Sequence, residues 1–186
     1  MRKGKIIIKI AGKDVRLDIL KILKSDRRKL KIIFHLWIKL SKLLRSFGAR
    51  GINIPEGLTE SLFCLEMGSV RVLKAHGTKG SFDTIDLKSS KRQQIKASSS
   101  RGPTSFGPRS FWDEDELYWM DFFRNGEVDG TFDIYKISDK YIYTSSVNKD
   151  ERLSDQQDQK RRPRIDFKGE IIERNKLKPI KENCKV

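Results

Sequence analysis

The sequence predicts a single α/β domain. Two observations carry that class. Apolar residues recur at helical spacing in two stretches, and short runs of strand character are interspersed with them. The chain is 186 residues long and 37% apolar, enough to bury a real core.

The elements follow in chain order. Residues 5–10 (KIIIKI) predict a short strand. From about Val15 to Phe47, the residues Leu17, Leu20, Leu23, Leu30, Ile33, Phe34, Trp37, Leu40 and Leu44 recur at helical spacing. The run KSDRR, with Ser25 and Asp26, reads as a break with a new N-cap, so two helices are expected there. GARGINIPEG supplies glycine and proline breaks and reads as a loop.

A helix is then predicted from about Leu58 to Met67. On it Glu60, Phe63, Cys64 and Met67 share one face. A carboxylate at Glu60 is either a first-turn residue favoured by the helix dipole or a buried acid with a task. A hairpin follows, with strands near 81–87 and 92–98 around Lys88–Lys91.

The segment SSRGPTSFGPRSFWDEDE is a long polar loop. LYWMDFF reads as a buried strand, RNGEVDG as a turn, and TFDIYKI as a strand with alternating faces. KYIYTSSV begins a further strand or helix, and QKRRPRIDF is a basic loop entering a strand. The closing KGEIIERNKLKPIKENCKV reads as a frayed, charged tail.

Charge divides the chain unevenly. The formal net charge is +15, and residues 1–50 hold 16 basic against 3 acidic side chains. Residues 51–150 balance 13 against 15, and 151–186 hold 11 against 7. A slightly acidic middle flanked by basic segments is the distribution expected if acids serve a metal and cations a polyanion. Most N-terminal lysines read as a solvated helical face; a phosphate- or membrane-contacting face is the second reading.

Several classes fall away. Cys64 and Cys184 make no disulfide framework, and with only His35 and His76 beside them zinc ligation has too few candidates. The N-terminal apolar run is too short for a signal peptide. Lys31, Lys39 and Lys42 interrupt the one segment near a membrane span. A soluble, intracellular protein is expected.

The hairpin carries the chemistry. Phosphodiester hydrolysis needs an activated water and charge against the phosphate, and magnesium held by a few oxygens supplies both. Strand side chains alternate, so Gln94 and Lys96 share a face while Ile95 points to the core. Asp83 or Asp86 would face them across the hairpin, a bulge deciding which. A plain surface hairpin has the same composition; Glu60 upstream, the apolar strand downstream and the cationic balance favour a site.

INIPEGLTESLFC, SFDTID with QQIKASS, TSFGPRS and RRPR occur in that order and together resemble type II restriction endonucleases of the PD-(D/E)XK superfamily. The likeness is nearest to the small bacterial enzymes that recognise GCNGC, and spans roughly residues 50–180. It implies a restriction-endonuclease-like mixed central sheet flanked by helices. The single nuclease domain would comprise a basic helical part (1–50) and a catalytic core (about 51–180).

The resemblance implies Mg²⁺-dependent double-strand cleavage leaving 5′-phosphate ends. Asp83 matches the metal-binding aspartate, Lys96 the motif lysine, and Glu60 the acid of the preceding helix. Gln94 stands where Glu or Asp is usual. Its amide oxygen coordinates but brings no charge, so metal binding would lean on Asp83, Glu60 and the Ile95 carbonyl, with Asp86 as alternative ligand.

DNA contact is expected from the loop Arg101–Arg109, with Arg101, Thr104, Ser105 and Arg109, and from Lys160, Arg161, Arg162 and Arg164. Arginine pairs with guanine edges, and basic side chains elsewhere bind phosphate. Trp112, Trp119 and Phe123 read as core. Double-stranded DNA, a homodimer acting with two-fold symmetry, a host methyltransferase and a bacterial or archaeal cytoplasm complete what the likeness implies. Two other readings stand: an inert basic nucleic-acid-binding module, and a membrane-surface protein using the N-terminal helices.

Overall fold

The computed structural model describes residues 1–10, 12–77, 82–105 and 115–186. Strand β1 (Arg2–Ile10) pairs antiparallel with β2 (Lys13–Lys21), in register from Arg2↔Lys21 to Ile10↔Lys13. The first expected helix, from Val15 to Leu23, is therefore a strand. Val15, Leu17 and Ile19 are buried while Asp14 and Arg16 face out. That is a period of two, and pairing on both edges of β2 selects it over the overlapping Leu17–Leu20–Leu23 helical spacing.

The break expected at Ser25–Asp26 is a 3-10 turn, Lys24–Asp26, that leads into α1 (Arg27–Ser46). Asp26 does not cap α1; its carboxylate accepts the Leu23 amide at 2.9 Å and pairs with the N-terminal ammonium. Helix α2 (Glu56–Met67) starts after extended Pro55 and ends at Gly68, whose φ of +77° is a left-handed C-cap that favours glycine.

The strands that follow are β3 (Val70–His76), β4 (Thr84–Ile85), β5 (Arg92–Ser98), β6 (Thr104–Ser105), β7 (Asp115–Asp121) and β8 (Thr131–Ile137). Short helices α3 (Asp139–Tyr143) and α4 (Leu153–Asp158) lead to β9 (Arg164–Ile165), a π-helical turn at Phe167–Glu173, and β10 (Lys181–Lys185). Eight of these strands form one sheet in the order β1-β2-β3-β4-β5-β7-β8-β10. Its β5–β7 pair is parallel and its other pairings are antiparallel. The domain is thus α/β with the mixed sheet that the resemblance implied.

The sheet is covered on both sides where it matters. Phe34, Trp37, Leu62 and Phe63 of α1 and α2 pack with Ile95, Tyr118, Met120 and Phe132. Leu117, Trp119 and Ile137 join Leu153, Phe167 and Ile171 in a second cluster. Strand β7 is buried on both faces, which is why LYWMDFF does not alternate. A third cluster lies under β1–β3 and takes Phe82 and Ile85 from the site hairpin.

Two further expectations change. Strand β3 went unassigned because only Val70 in it is fully buried. The closing segment is not a frayed tail: Ile171 and Ile172 are buried, and β10 pairs with β8, burying Cys184. An edge strand needs only one apolar face, so the many lysines around it hid the pattern. The undecided KYIYTSSV starts a helix. Trp119 is core, as expected, stacked at 5.8 Å on Phe167; Trp112, Gly107, Pro108 and Arg109 lie outside the described residues.

Candidate active site

A cleft of about 720 Å³ opens beside the middle of the sheet. Its walls come from the start of α2, the residue before β4, the exposed end of β5, the Ser99–Ser105 segment and the strand β9. Asp83 sits at its base, held by the main chain on two sides. The Asp83 amide donates to the Gln93 carbonyl at 3.1 Å, and its carbonyl accepts the Val72 amide at 2.9 Å.

Strand β4 pairs with only two residues of β5, Arg92 and Gln93. Beyond them the Asp83 side chain takes over as partner. Its Oδ2 accepts the Ile95 amide at 2.7 Å and the Gln94 Nε2 at 2.6 Å. Ile95 itself is buried in the core and Gln94 and Lys96 both line the cleft. The adjacent glutamines divide: Gln93 is buried and accepts the Thr84 hydroxyl at 2.9 Å, whereas Gln94 faces the cleft.

Burial pushes the Asp83 carboxyl up to about 6. The Ile95 amide and the Lys96 charge oppose that rise, and Glu60 adds to it. A carboxyl so desolvated gains most from a nearby cation. Glu60 is also buried, and burial raises its pKa too, against the opposing hydrogen bond and charge of Arg71. Arg71 Nε on β3 donates to Glu60 Oε2, an ion pair that tethers α2 to the sheet behind the cleft. Phe63, on the same helix, is fully buried against Tyr118. Truncating it to alanine would cost about 3–5 kcal/mol and loosen the helix that carries Glu60.

Asp86 goes elsewhere. Its Oδ1 accepts the Lys88 amide at 3.0 Å and its Oδ2 the Ser89 hydroxyl at 2.7 Å. Those bonds, the Lys88 amide foremost, hold its carboxyl below the usual range. It serves the turn and does not line the cleft.

Arg101, Thr104, Ser105, Arg162 and Arg164 line the same cleft as Asp83 and Lys96. The small β6–β9 ladder brings their two segments together, with Ser105 opposite Arg164. Arg164 also donates to the Pro103 carbonyl at 3.4 Å. Lys160 and Arg161 are not part of the cleft wall, and Arg161 lies 3.3 Å from the Glu151 carboxylate. Glu56, Thr59 and Asn53 also face the cleft, though the sequence reading did not single them out. Glu56 had a signal, since it stands one turn before Glu60; Arg71 had none, because its role depends on a strand that went unassigned.

Among the described residues, no three His, Cys, Asp or Glu side chains converge as a metal cluster. What converges there is a desolvated carboxyl, a carboxamide that gives its nitrogen to that carboxyl, and the main chain of β5. No helix of the described residues is long and apolar enough to cross a membrane.

Residues 22–174 match the family model of the Bsp6I restriction endonuclease. The chain belongs to that family. It is 36% identical over 167 residues to the type II restriction enzyme Bsp6I of Bacillus sp. (strain RFL6), covering 88% of this chain and 90% of that enzyme. No solved structure matches it. Membership in the Bsp6I family makes the chain a type II restriction endonuclease, an enzyme that hydrolyses DNA at specific sites, and the match spans every cleft element from α2 to β9.

Proposed function

We propose that the chain cleaves both strands of double-stranded DNA in a Mg²⁺-dependent reaction centred on Asp83, at GCNGC or a closely related site. The observation that carries this is the Asp83 side chain. It is desolvated and set against the free end of β5, with Lys96 on the same face.

Asp83, the Ile95 carbonyl and the Gln94 carboxamide would hold the metal. N–H and C=O of one strand residue point to the same neighbour, so the Ile95 carbonyl points toward Asp83, where β4 has ended. In this arrangement Gln94 gives its Nε2 to Asp83. A half-turn of the carboxamide would present its oxygen to a cation instead. Both hydrogen bonds to the Asp83 carboxylate among the described residues fall on Oδ2. When bound, magnesium supplies an acidified water and positive charge against the phosphate.

The protein supplies the rest. Lys96 orients the attacking water, takes or shares its proton and offsets phosphate charge. Glu60, committed to Arg71, fixes α2 and keeps negative charge near Asp83 rather than acting as the main ligand. Arg101, Arg162 and Arg164 grip phosphates or guanine edges, and Thr104 and Ser105 add hydroxyl contacts. Cleavage leaves 5′-phosphate ends. Two copies act together on the duplex, in a cytoplasm whose own DNA a cognate methyltransferase protects.

One observation favours a second reading, an inert DNA-binding module: Gln94 brings no charge where a second carboxylate is usual. Digestion of a plasmid containing GCNGC, with end mapping, separates the two. Discrete fragments in Mg²⁺ and none in EDTA support cleavage, and ends mapped outside GCNGC would overturn only the site. A plasmid shifted in a gel but never cut under several divalent metals would leave the inert module. Gln94→Glu would then be the rescue to try.

A further inference from the structure

Helix α1 has three faces instead of two. Leu30, Phe34, Trp37 and Ser41 are buried against the core. Arg28, Lys31, Lys39 and Lys42 cluster on a second face; the helix has no acidic residue to pair with them. The third face is apolar and open. Ile33, Leu36, Leu40, Leu43 and Phe47 are 43%, 61%, 48%, 51% and 86% exposed. At 100° per residue the three faces lie roughly 120° apart.

The spacing of the open stripe is informative. Its steps are 3, 4, 3 and 4, the a/d seam of a coiled coil, with Ile32 bordering it at a flanking position. A stripe this narrow is a seam for another helix, whereas a helix lying on a membrane carries a broader apolar face. It runs about 21 Å along the axis. The exposed side chains present roughly 600 Å² per copy, so a symmetric pair would bury about 1,200 Å², the lower bound for a stable specific interface. A patch of that size left bare would be large for a monomer.

We infer that this stripe is the homodimer seam: two copies of the chain pack α1 against α1 about a two-fold axis close to Leu40. A second copy is the partner that brings the same spacing and the same length. Arg28, Lys31, Lys39 and Lys42 point away from the seam, and exposed Lys29, one heptad before Leu36, stands at its N-terminal end. Position also suits the partner. Trp37 Nε1 on the inner face donates to the Ile52 carbonyl at 2.9 Å, and the next residues, Asn53 and Ile54, line the cleft. The seam is therefore one helix thickness, about 10 Å, from the segment that borders the catalytic centre. Pairing here sets two single-strand-cutting centres side by side for the two strands of a duplex. This inference rests on the nuclease reading for its purpose only. The dimer itself is measured without cutting DNA, so its failure and that of the nuclease reading are distinguishable.

Sedimentation of the full chain at micromolar concentration, in about 0.1 M and about 1 M salt, tests it. The expected result is a dimer of the 21.6 kDa chain that tightens as salt rises, because salt screens repulsion between two like-charged helices. Leu36→Glu and Leu40→Glu lie outside the core and should each weaken it at least about 100-fold while leaving circular dichroism unchanged. A second variant, Leu40→Cys, should form an intermolecular disulfide under mild oxidation, since the central seam residue meets its own copy in either orientation; Cys64 and Cys184 are buried and do not compete. A monomer at all concentrations, a dimer indifferent to both glutamates, or no intermolecular disulfide in the Leu40→Cys variant would overturn the inference. So would a monomer that floats with phosphatidylserine vesicles through the same residues, with binding lost as salt rises.

Discussion

Asp83 and Asp86 bracket a strand of two residues and have opposite fates. Asp83 is desolvated, pushed up to about 6, and presented to a cleft. Asp86 is held below the usual range by an amide and a hydroxyl of its own turn. The residues are three apart, so alternation alone puts them on opposite faces. What assigns the roles is where β4 stops: the main chain of Asp83 is bonded to both β3 and β5, so its side chain must lie over the free edge of Ile95. The difference teaches that a carboxylate becomes a site residue by losing local partners, and a turn residue by keeping them.

The largest effect expected from that contrast is on cleavage. Asp83→Asn should lower the Mg²⁺-dependent rate by at least about 10³-fold, while Asp86→Asn should stay within about threefold. Single-turnover cleavage of a short duplex reads both. Lys96→Ala should cost about 10²–10³-fold in rate with DNA binding retained, checked by a gel shift in Ca²⁺ beside the cleavage assay.

Binding sharpens the contrast between cleft-lining and outlying arginines. Arg162→Ala or Arg164→Ala should weaken DNA binding about 5- to 100-fold and, if the contact is to phosphate, lower the salt slope by about one. Arg161→Ala, whose side chain pairs with Glu151 outside the cleft, should do much less. Fluorescence anisotropy at several salt concentrations would show equal losses if the division were wrong.

The same contrast reaches stability, and there its sign is opposite for the two aspartates. The folded-state pKa of Asp83 is raised from 3.8 to about 6. The folded protein therefore keeps a proton that the unfolded chain releases, and stability falls as pH rises through that window. Asn carries no such penalty, so Asp83→Asn should gain up to roughly 3 kcal/mol at pH 8 without metal, several degrees in Tm, and little at pH 4. The lowered pKa of Asp86 contributes stability that is present above its unfolded value and lost in acid. Asp86→Asn should therefore be neutral or slightly destabilising, within about 1 kcal/mol. Thermal melts in EDTA across pH measure both; a Tm gain for Asp86→Asn alone would reverse the assignment.

The centre of the molecule was more legible in the sequence than its edges. Gln94, Ile95 and Lys96 follow from strand parity, and α2 from its apolar spacing and flanking breaks. LYWMDFF declared itself because a strand covered on both faces is apolar throughout. The strands away from the centre mislead because few of their residues are buried. Thus Val15, Leu17 and Ile19 of β2 were masked by a competing helical spacing, β3 by having only Val70 buried, and β10 by the charged residues around Cys184. The Glu60–Arg71 pair was illegible because it links α2 to one of those unassigned strands. The meeting of Ser105 with Arg164 depended on a two-residue ladder that leaves almost no trace in composition.

The central claim is that Asp83, and not Asp86, organises a metal-dependent nuclease site. Its most direct measurement is digestion of one supercoiled plasmid by the wild type, Asp83→Asn and Asp86→Asn, each in Mg²⁺ and in EDTA. The account predicts discrete fragments from the wild type and Asp86→Asn in Mg²⁺ only, and intact plasmid from Asp83→Asn throughout. Cleavage that survives Asp83→Asn, or disappears with Asp86→Asn, would contradict it.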